Sequence, residues 1–250
     1  IRTTKGINQT SPEKLTSLDV AKSLAHYRGK KFIGIGSARA SLEANFYLKN
    51  LVGENNFSAG LSATQMSMAA QHQQLLSQYQ PPSLTEIEQS DFIFIIAEDI
   101  TQTASRMALS VRQALRNASI EKAATIGIPS WQDSAVRTLG GNLVSPLFSL
   151  QSTATKLDDV TEQSLLLTID EIENCLQVLA NYIPDKNKEI LCDVSESQQL
   201  FIKAFVNAYS SAKKPLILSG WSSQSAGLFN GIEQLMLALR NVQNNTENAA

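Results

Sequence analysis

Five consecutive apolar residues, Phe92-Ile93-Phe94-Ile95-Ile96, constrain the fold of this chain more than any other feature. Side chains alternate between the two faces of a strand, so an apolar run without alternation has two faces to bury. Covering all five contributes roughly 10 kcal/mol before conformational entropy is subtracted. The next residues, Glu98-Asp99-Ile100-Thr101-Gln102-Thr103, form an acidic, Thr-rich turn. Beyond it a stretch of helical period runs from Thr103 to Arg116. Apolar run, polar turn and amphipathic stretch together read as one strand–loop–helix unit of a parallel sheet. Such sheets bind ligands at the turns outside the carboxyl ends of their strands.

Similar units recur along the chain. Lys31–Gly36 reads as a strand running into a glycine turn, and Ala40–Val52 as an amphipathic helix stopped by Gly53. Thr64–Gln78 is a polar, Gln- and Met-rich helix that ends before Pro81-Pro82. Ala123–Pro129 reads as a further strand, Asp133–Thr138 as a short helix, and Leu143–Leu150 as another strand. Asp158-Asp159 and Asp170 are candidate helix caps. Ser195–Ser211 and Ser223–Leu239 are helices on either side of the strand Lys214–Gly220. Strands alternating with helices imply a three-layer α/β/α fold around a mostly parallel, Rossmann-like sheet. The expected division is a linker and leading helix over 1–30, the helix spanning Asp19–Tyr27 and stopping at Gly29. A first α/β lobe covers 31–150. Residues 151–240 either continue the same sheet or form a second lobe, and a disordered tail covers 241–250.

With 250 residues the chain buries enough surface to need no covalent staples. Its net charge of −2 comes from charges of both signs spread along the sequence, which argues against a nucleic-acid face or a polybasic membrane patch. No apolar run approaches the ~18 residues of a spanning helix, so direct membrane insertion is not expected. A soluble, cytoplasmic chain is expected, and the absence of an initiator Met suggests a fragment or a processed product. Cys175 and Cys192 are too few and too far apart for a disulfide framework or a CxxC motif, and an iron–sulfur cluster usually takes four thiolates. Both read as small core residues. No metal site is expected.

The turn Gly34-Ile35-Gly36-Ser37-Ala38-Arg39 opens like a dinucleotide fingerprint, but Arg39 stands where the third glycine belongs. It reads either as a tight βα turn or as a cradle for a phosphate or pyrophosphate, with Arg39 as a bidentate donor. Glu54 stands near the offset of a ribose-binding acid. Glu98 and Asp99 are either an acid–base pair or caps of the following helix. Trp221, in the turn after Ser219-Gly220, either stacks a ligand or packs at an interface. His26 and His72 have no evident partner in the sequence. No Ser/His/Asp arrangement, Walker loop or zinc spacing occurs.

Three blocks carry a family resemblance. They are Gly34–Phe46 continuing into Leu51–Phe57, then Ile87–Ala114 with Asp91 and Ala97–Thr103, and Lys213–Gly220. Together they resemble the molybdopterin-oxidoreductase-like region of the G subunit of bacterial NADH–quinone oxidoreductase, respiratory complex I. The resemblance implies α/β domains like those of formate dehydrogenase and DMSO reductase. It implies an electron-transfer complex whose other peripheral-arm subunits are the partners, on the cytoplasmic side of the inner membrane. Iron–sulfur clusters are implied for the part of the family's chain that precedes these blocks, and none for this segment. Gly34, Gly36, Ser37 and Asp99 match pterin-contact turns of molybdoenzymes, and with Arg39 they would line a vestigial cleft. No Cys or Ser in a metal-ligand motif accompanies them, which argues against a bound molybdopterin.

Three functions follow. The chain is a catalytically silent scaffold of that oxidoreductase, or a module binding a nucleotide or pterin diphosphate at Gly34–Arg39, or a self-contained enzyme using Glu98 and Asp99.

Overall fold

The computed structural model describes residues 16–26, 30–184 and 194–247. Cys192, the expected helix stop at Tyr27–Gly29, residues 1–15 of the expected linker and 248–250 of the expected tail lie outside them. The chain separates into two compact units, Ile1–Ser62 and Ala63–Ala250.

In the smaller unit, helix α1 spans Ser17–His26, strand β1 Gly34–Ile35, helix α2 Leu42–Val52 and strand β2 Phe57–Ser58. The strand expected over Lys31–Gly36 shrinks to two residues that pair in parallel with β2, Gly34 opposite Phe57. Ser41 caps α2 by accepting the Ala44 N–H, and Gly53, at φ 84, returns its own N–H to Lys49. The sequence read this stop correctly, because only glycine takes that backbone at no steric cost.

The larger unit opens with α3 (Ala63–Gln78) and α4 (Leu84–Glu88), followed by β3 (Phe92–Ile96). Then come α5 (Ile100–Thr103), α6 (Ser105–Ala114), α7 (Asn117–Ala124) and α8 (Asp133–Gly140). β4 (Leu147–Gln151), β5 (Gln163–Leu166), α9 (Ile169–Tyr182), α10 (Glu196–Ser210), β6 (Pro215–Ser219) and α11 (Ala226–Glu247) complete it. The strands form one parallel sheet in the order β5-β4-β3-β6, with Phe94 between Phe148 and Ile217.

β3 alternates between two cores. Phe92, Phe94 and Ile96 pack with Phe148, with Leu176 of α9, with Phe201 and Phe205 of α10, and with Leu228 and Leu235 of α11. Ile93 and Ile95 face the other way, onto Ile87 of α4 and Ala108, Val111 and Ala114 of α6. This is the expected three-layer α/β arrangement. On the first face the phenylalanines meet edge to face, Phe94 and Phe205 at 4.8 Å between ring centroids and Phe148 and Phe201 at 5.4 Å. At the amino end of the sheet the Asp91 carboxylate accepts the backbone N–H groups of Lys213 and Lys214 at 2.7 and 2.8 Å, fixing β6 against β3.

Several expectations fail for physical reasons. Ala123–Pro129 is not a strand: α7 runs to Ala124, Gly127 turns the chain at φ 78, and Ile126 is exposed. The β-branched residues there have no sheet neighbour to pack against, and tertiary context overrides propensity. The single helix expected over Thr103–Arg116 is interrupted at Ala104, at φ −145. Asp170 does not cap α9. Thr168 does so in a capping box with Glu171, whose carboxyl these bonds hold below its usual range. Asp158 closes a turn with Thr155 rather than capping a helix. β5 was not anticipated, since Gln163-Ser164-Leu165-Leu166 carries little apolar signal for an edge strand. β6 lies beside β3, so residues on both sides of 150 contribute to one sheet, one of the two alternatives the sequence leaves open. The expected tail is helical as far as Glu247.

Phe94→Ala is expected to lower the unfolding free energy by about 3–5 kcal/mol, and Ile126→Ala by less than about 0.5 kcal/mol. Urea denaturation of both variants checks this. An equal loss at Ile126 would restore the strand.

Candidate functional site

The strand order reverses beside β3. The chain leaves it for β4 and β5 on one side and returns to β6 on the other. Ligands of open α/β sheets bind at such a reversal, outside the carboxyl ends of the two strands. The loops there are Ala97–Asp99 and Gly220–Gln224, each containing a non-glycine residue in the left-handed region, Ala97 at φ 50 and Gln224 at φ 49. Backbone strain of this kind concentrates at functional positions.

Glu98 fills the reversal. Its buried carboxylate accepts the Ser222 N–H at 3.1 Å and the Ser222 hydroxyl at 2.9 Å, while Gln151 Nε2 donates to its carbonyl. Gly220 leaves room for it: a Cβ there would stand 2.2 Å from Glu98 Oε2. Asp99 turns the other way and caps α5, accepting the Thr101 N–H at 3.0 Å and the Thr101 hydroxyl. The two acids thus hold separate partners, and neither is placed to share a proton with the other.

Trp221 packs within the fold. Its Nε1 donates to His72 Nδ1 at 3.1 Å, with the rings nearly perpendicular, and His72 also lies against Phe229. Sequence reading left His72 without a partner, because the two residues are joined only by the docking of α3 against α11. Gln71 Oε1, one position before His72, and Ser223 Oγ, two positions after Trp221, are buried without a protein hydrogen-bond partner.

Of the residues expected to line a cleft, Gly34, Gly36, Ser37 and Arg39 stay together on one turn of the smaller unit, and Asp99 belongs to the larger unit. Three amides of that turn are occupied. The Gly36 N–H donates to Ser58 O, the Ser37 N–H to Asn45 Oδ1 and the Arg39 N–H to Ser37 Oγ. Asn45 Nδ2 returns bonds to the carbonyls of Ser37 and Ser41. Glu43 adds a carboxylate to the first turn of α2, where an anion would otherwise be favoured. Glu54 pairs with Lys49 at 2.7 Å on the surface.

Among the described residues no group of three or more His, Cys, Asp or Glu side chains could hold a metal ion, and the chain's two cysteines fall short of the usual thiolates of an iron–sulfur cluster. Cys175 is enclosed between α9 and its neighbours, and burial pushes its thiol up to about 12. A shallow apolar depression lined by Ile128, Ser134, Ala135, Thr138 and Leu139 includes none of the candidate residues.

No protein-family model matches the sequence. Curated relatives do. The NADH-quinone oxidoreductase G subunit of Pseudomonas fluorescens is 33% identical over 228 residues, 90% of this chain and 25% of the relative. That of Shewanella oneidensis is 36% identical over 213 residues, 84% of this chain and 23% of the relative. That of Escherichia coli K12 is 33% identical over 215 residues, 85% and 24% respectively. The chain spans about a quarter of the length of these relatives.

Glu98→Ala, which leaves the Ser222 donors without their acceptor, is expected to lose about 1–3 kcal/mol. Gly220→Ala is destabilising alone, and the double variant is less destabilised than the sum, because the clash needs the Glu98 side chain. Additive losses in urea denaturation would contradict this geometry. In a Cys192→Ser background, Cys175 should resist alkylation at pH 8 until the protein unfolds. A raised thiol pKa favours the neutral form in the fold. Its stabilising effect is therefore complete below the ordinary thiol value of 9.0 and is lost as pH rises toward about 12. Rapid native-state labelling would overturn the enclosed placement.

Proposed function

This chain is homologous over most of its length to part of the G-subunit family of bacterial NADH-quinone oxidoreductases, and from that premise we propose that it works as a scaffold segment of such a protein, with no chemistry of its own. The observation that carries the proposal is the identity of 33–36% sustained over 79–90% of the chain. Two features of the fold support the silent role. The loops at the strand reversal are tied together by Glu98, a side chain standing where a ligand would approach. Three amides of the Gly34–Arg39 turn are held by Ser58, Asn45 and Ser37.

In this reading the electron-transfer chemistry, NADH to quinone, belongs to the assembled oxidoreductase. Its iron–sulfur clusters sit in other parts of the G subunit, because the donor set of this chain does not suit them. The partners are the other subunits of the peripheral arm, on the cytoplasmic face of the inner membrane. No helix among the described residues is long and apolar enough to cross a membrane, in keeping with a peripheral position.

Purification through an affinity tag on this chain, from its own host, tests the proposal. Co-recovery of the oxidoreductase subunits with NADH-dependent quinone reduction is expected. Recovery of the chain alone would contradict it. Saturable binding of a nucleotide or pterin diphosphate, lost in Arg39→Ala, would favour the binding module instead.

A further inference from the structure

The smaller unit is built like half of a layer. Its sheet has two short strands, and a two-stranded sheet is marginal in water. Helix α2 covers one face of it: a Cβ on Gly34 would stand 2.9 Å from Val52 and 3.1 Å from Leu48. Ile33 and Ile35 flank Gly34 and therefore alternate to the opposite face, where they are 78% and 73% exposed. Helix α2 also turns apolar residues outward. Leu42 and Phe46 form one i, i+4 pair, Tyr47 and Leu51 another, and their exposures are 82%, 58%, 71% and 64%. No residue of α2 is buried, and Gly34 is the one buried residue among the described residues of the unit. Parallel sheets are covered on both faces, and exposed apolar surface of this extent marks a contact.

We infer that both of these surfaces are internal interfaces, covered by further polypeptide of the same G subunit that packs apolar strands or helices onto Ile33 and Ile35 on one side of the unit and onto the outer side of α2 on the other. The inference rests on the membership in a G subunit proposed above. The occupant follows from two facts. The chain matches about a quarter of the relatives' length, so roughly three times as much polypeptide lies outside the match. The exposed residues are large and aliphatic or aromatic, the composition of a core cut open rather than of a transient polar contact.

The test places p-benzoylphenylalanine at Tyr47, and separately at Phe46, in cells that assemble the oxidoreductase, with a second, isotope-labelled copy of the chain present. After irradiation the purified complex is digested and the cross-linked peptides are sequenced. Cross-links to residues of the G subunit outside the matched quarter are expected. Cross-links to residues 63–250 of this chain, to the labelled copy or to another subunit, or none from a chain recovered in the complex, would overturn the inference and leave the proposed function standing. Failure to recover the chain with the complex would remove both. Hydrogen exchange gives a second measurement. Amides 33–36 should exchange at least about tenfold more slowly in the assembled oxidoreductase than in this chain alone. Ile35→Lys, at a side chain exposed in this chain, should abolish that difference, and equal rates without the substitution would overturn the inference.

Discussion

The two-sided burial of β3 is the constraint on which the larger unit depends. Five apolar side chains in a row leave no face for water, so the sheet must lie between helices. The phenylalanines at alternate positions set the face built by α9, α10 and α11, and Ile93 and Ile95 set the opposite face on α4 and α6. Asp91 starts β3 by holding the amides that open β6, and Glu98 follows it by holding the turn that closes β6. The central strand is thus tied to the same neighbour at both ends by a carboxylate.

That second tie bears on function. The reversal of strand order beside β3 is where the fold would admit a ligand, and here the Glu98 side chain occupies it, held by Ser222. The strained backbone of Ala97 lies directly before Glu98. The Gly34–Arg39 turn follows the same pattern, with amides that could face an anion given to Asn45 and Ser37. The bonds within both loops fit the scaffold role proposed above, and the exposed apolar surfaces of the smaller unit are those inferred to be covered.

Legibility in the sequence followed the strength of the local signal. β3, α10 and the Gly53 helix stop were readable because a buried run, a capping serine and a left-handed glycine each act locally. The turn at 123–129 was misread because Ala-Thr-Ile has strand propensity, and only the absence of a pairing partner rules a strand out. The acids were half readable. Asp99 as a cap is a local pattern, but the bond from Glu98 to Ser222 spans 124 positions, and no spacing rule announces it. The pairing of His72 with Trp221, across 149 positions, was hidden for the same reason. The three blocks of family resemblance pointed to the same family as the curated relatives.

In the proposed role this segment serves an electron-transfer complex by its shape, with Glu98 and Asn45 bonded where a ligand would approach. The most direct measurement is pterin fluorescence in an oxidised acid extract of the oxidoreductase purified through this chain. No pterin signal is expected from a preparation that still transfers electrons from NADH to quinone. A signal stoichiometric with the chain would overturn the scaffold role and would mean that a pterin cofactor is still held.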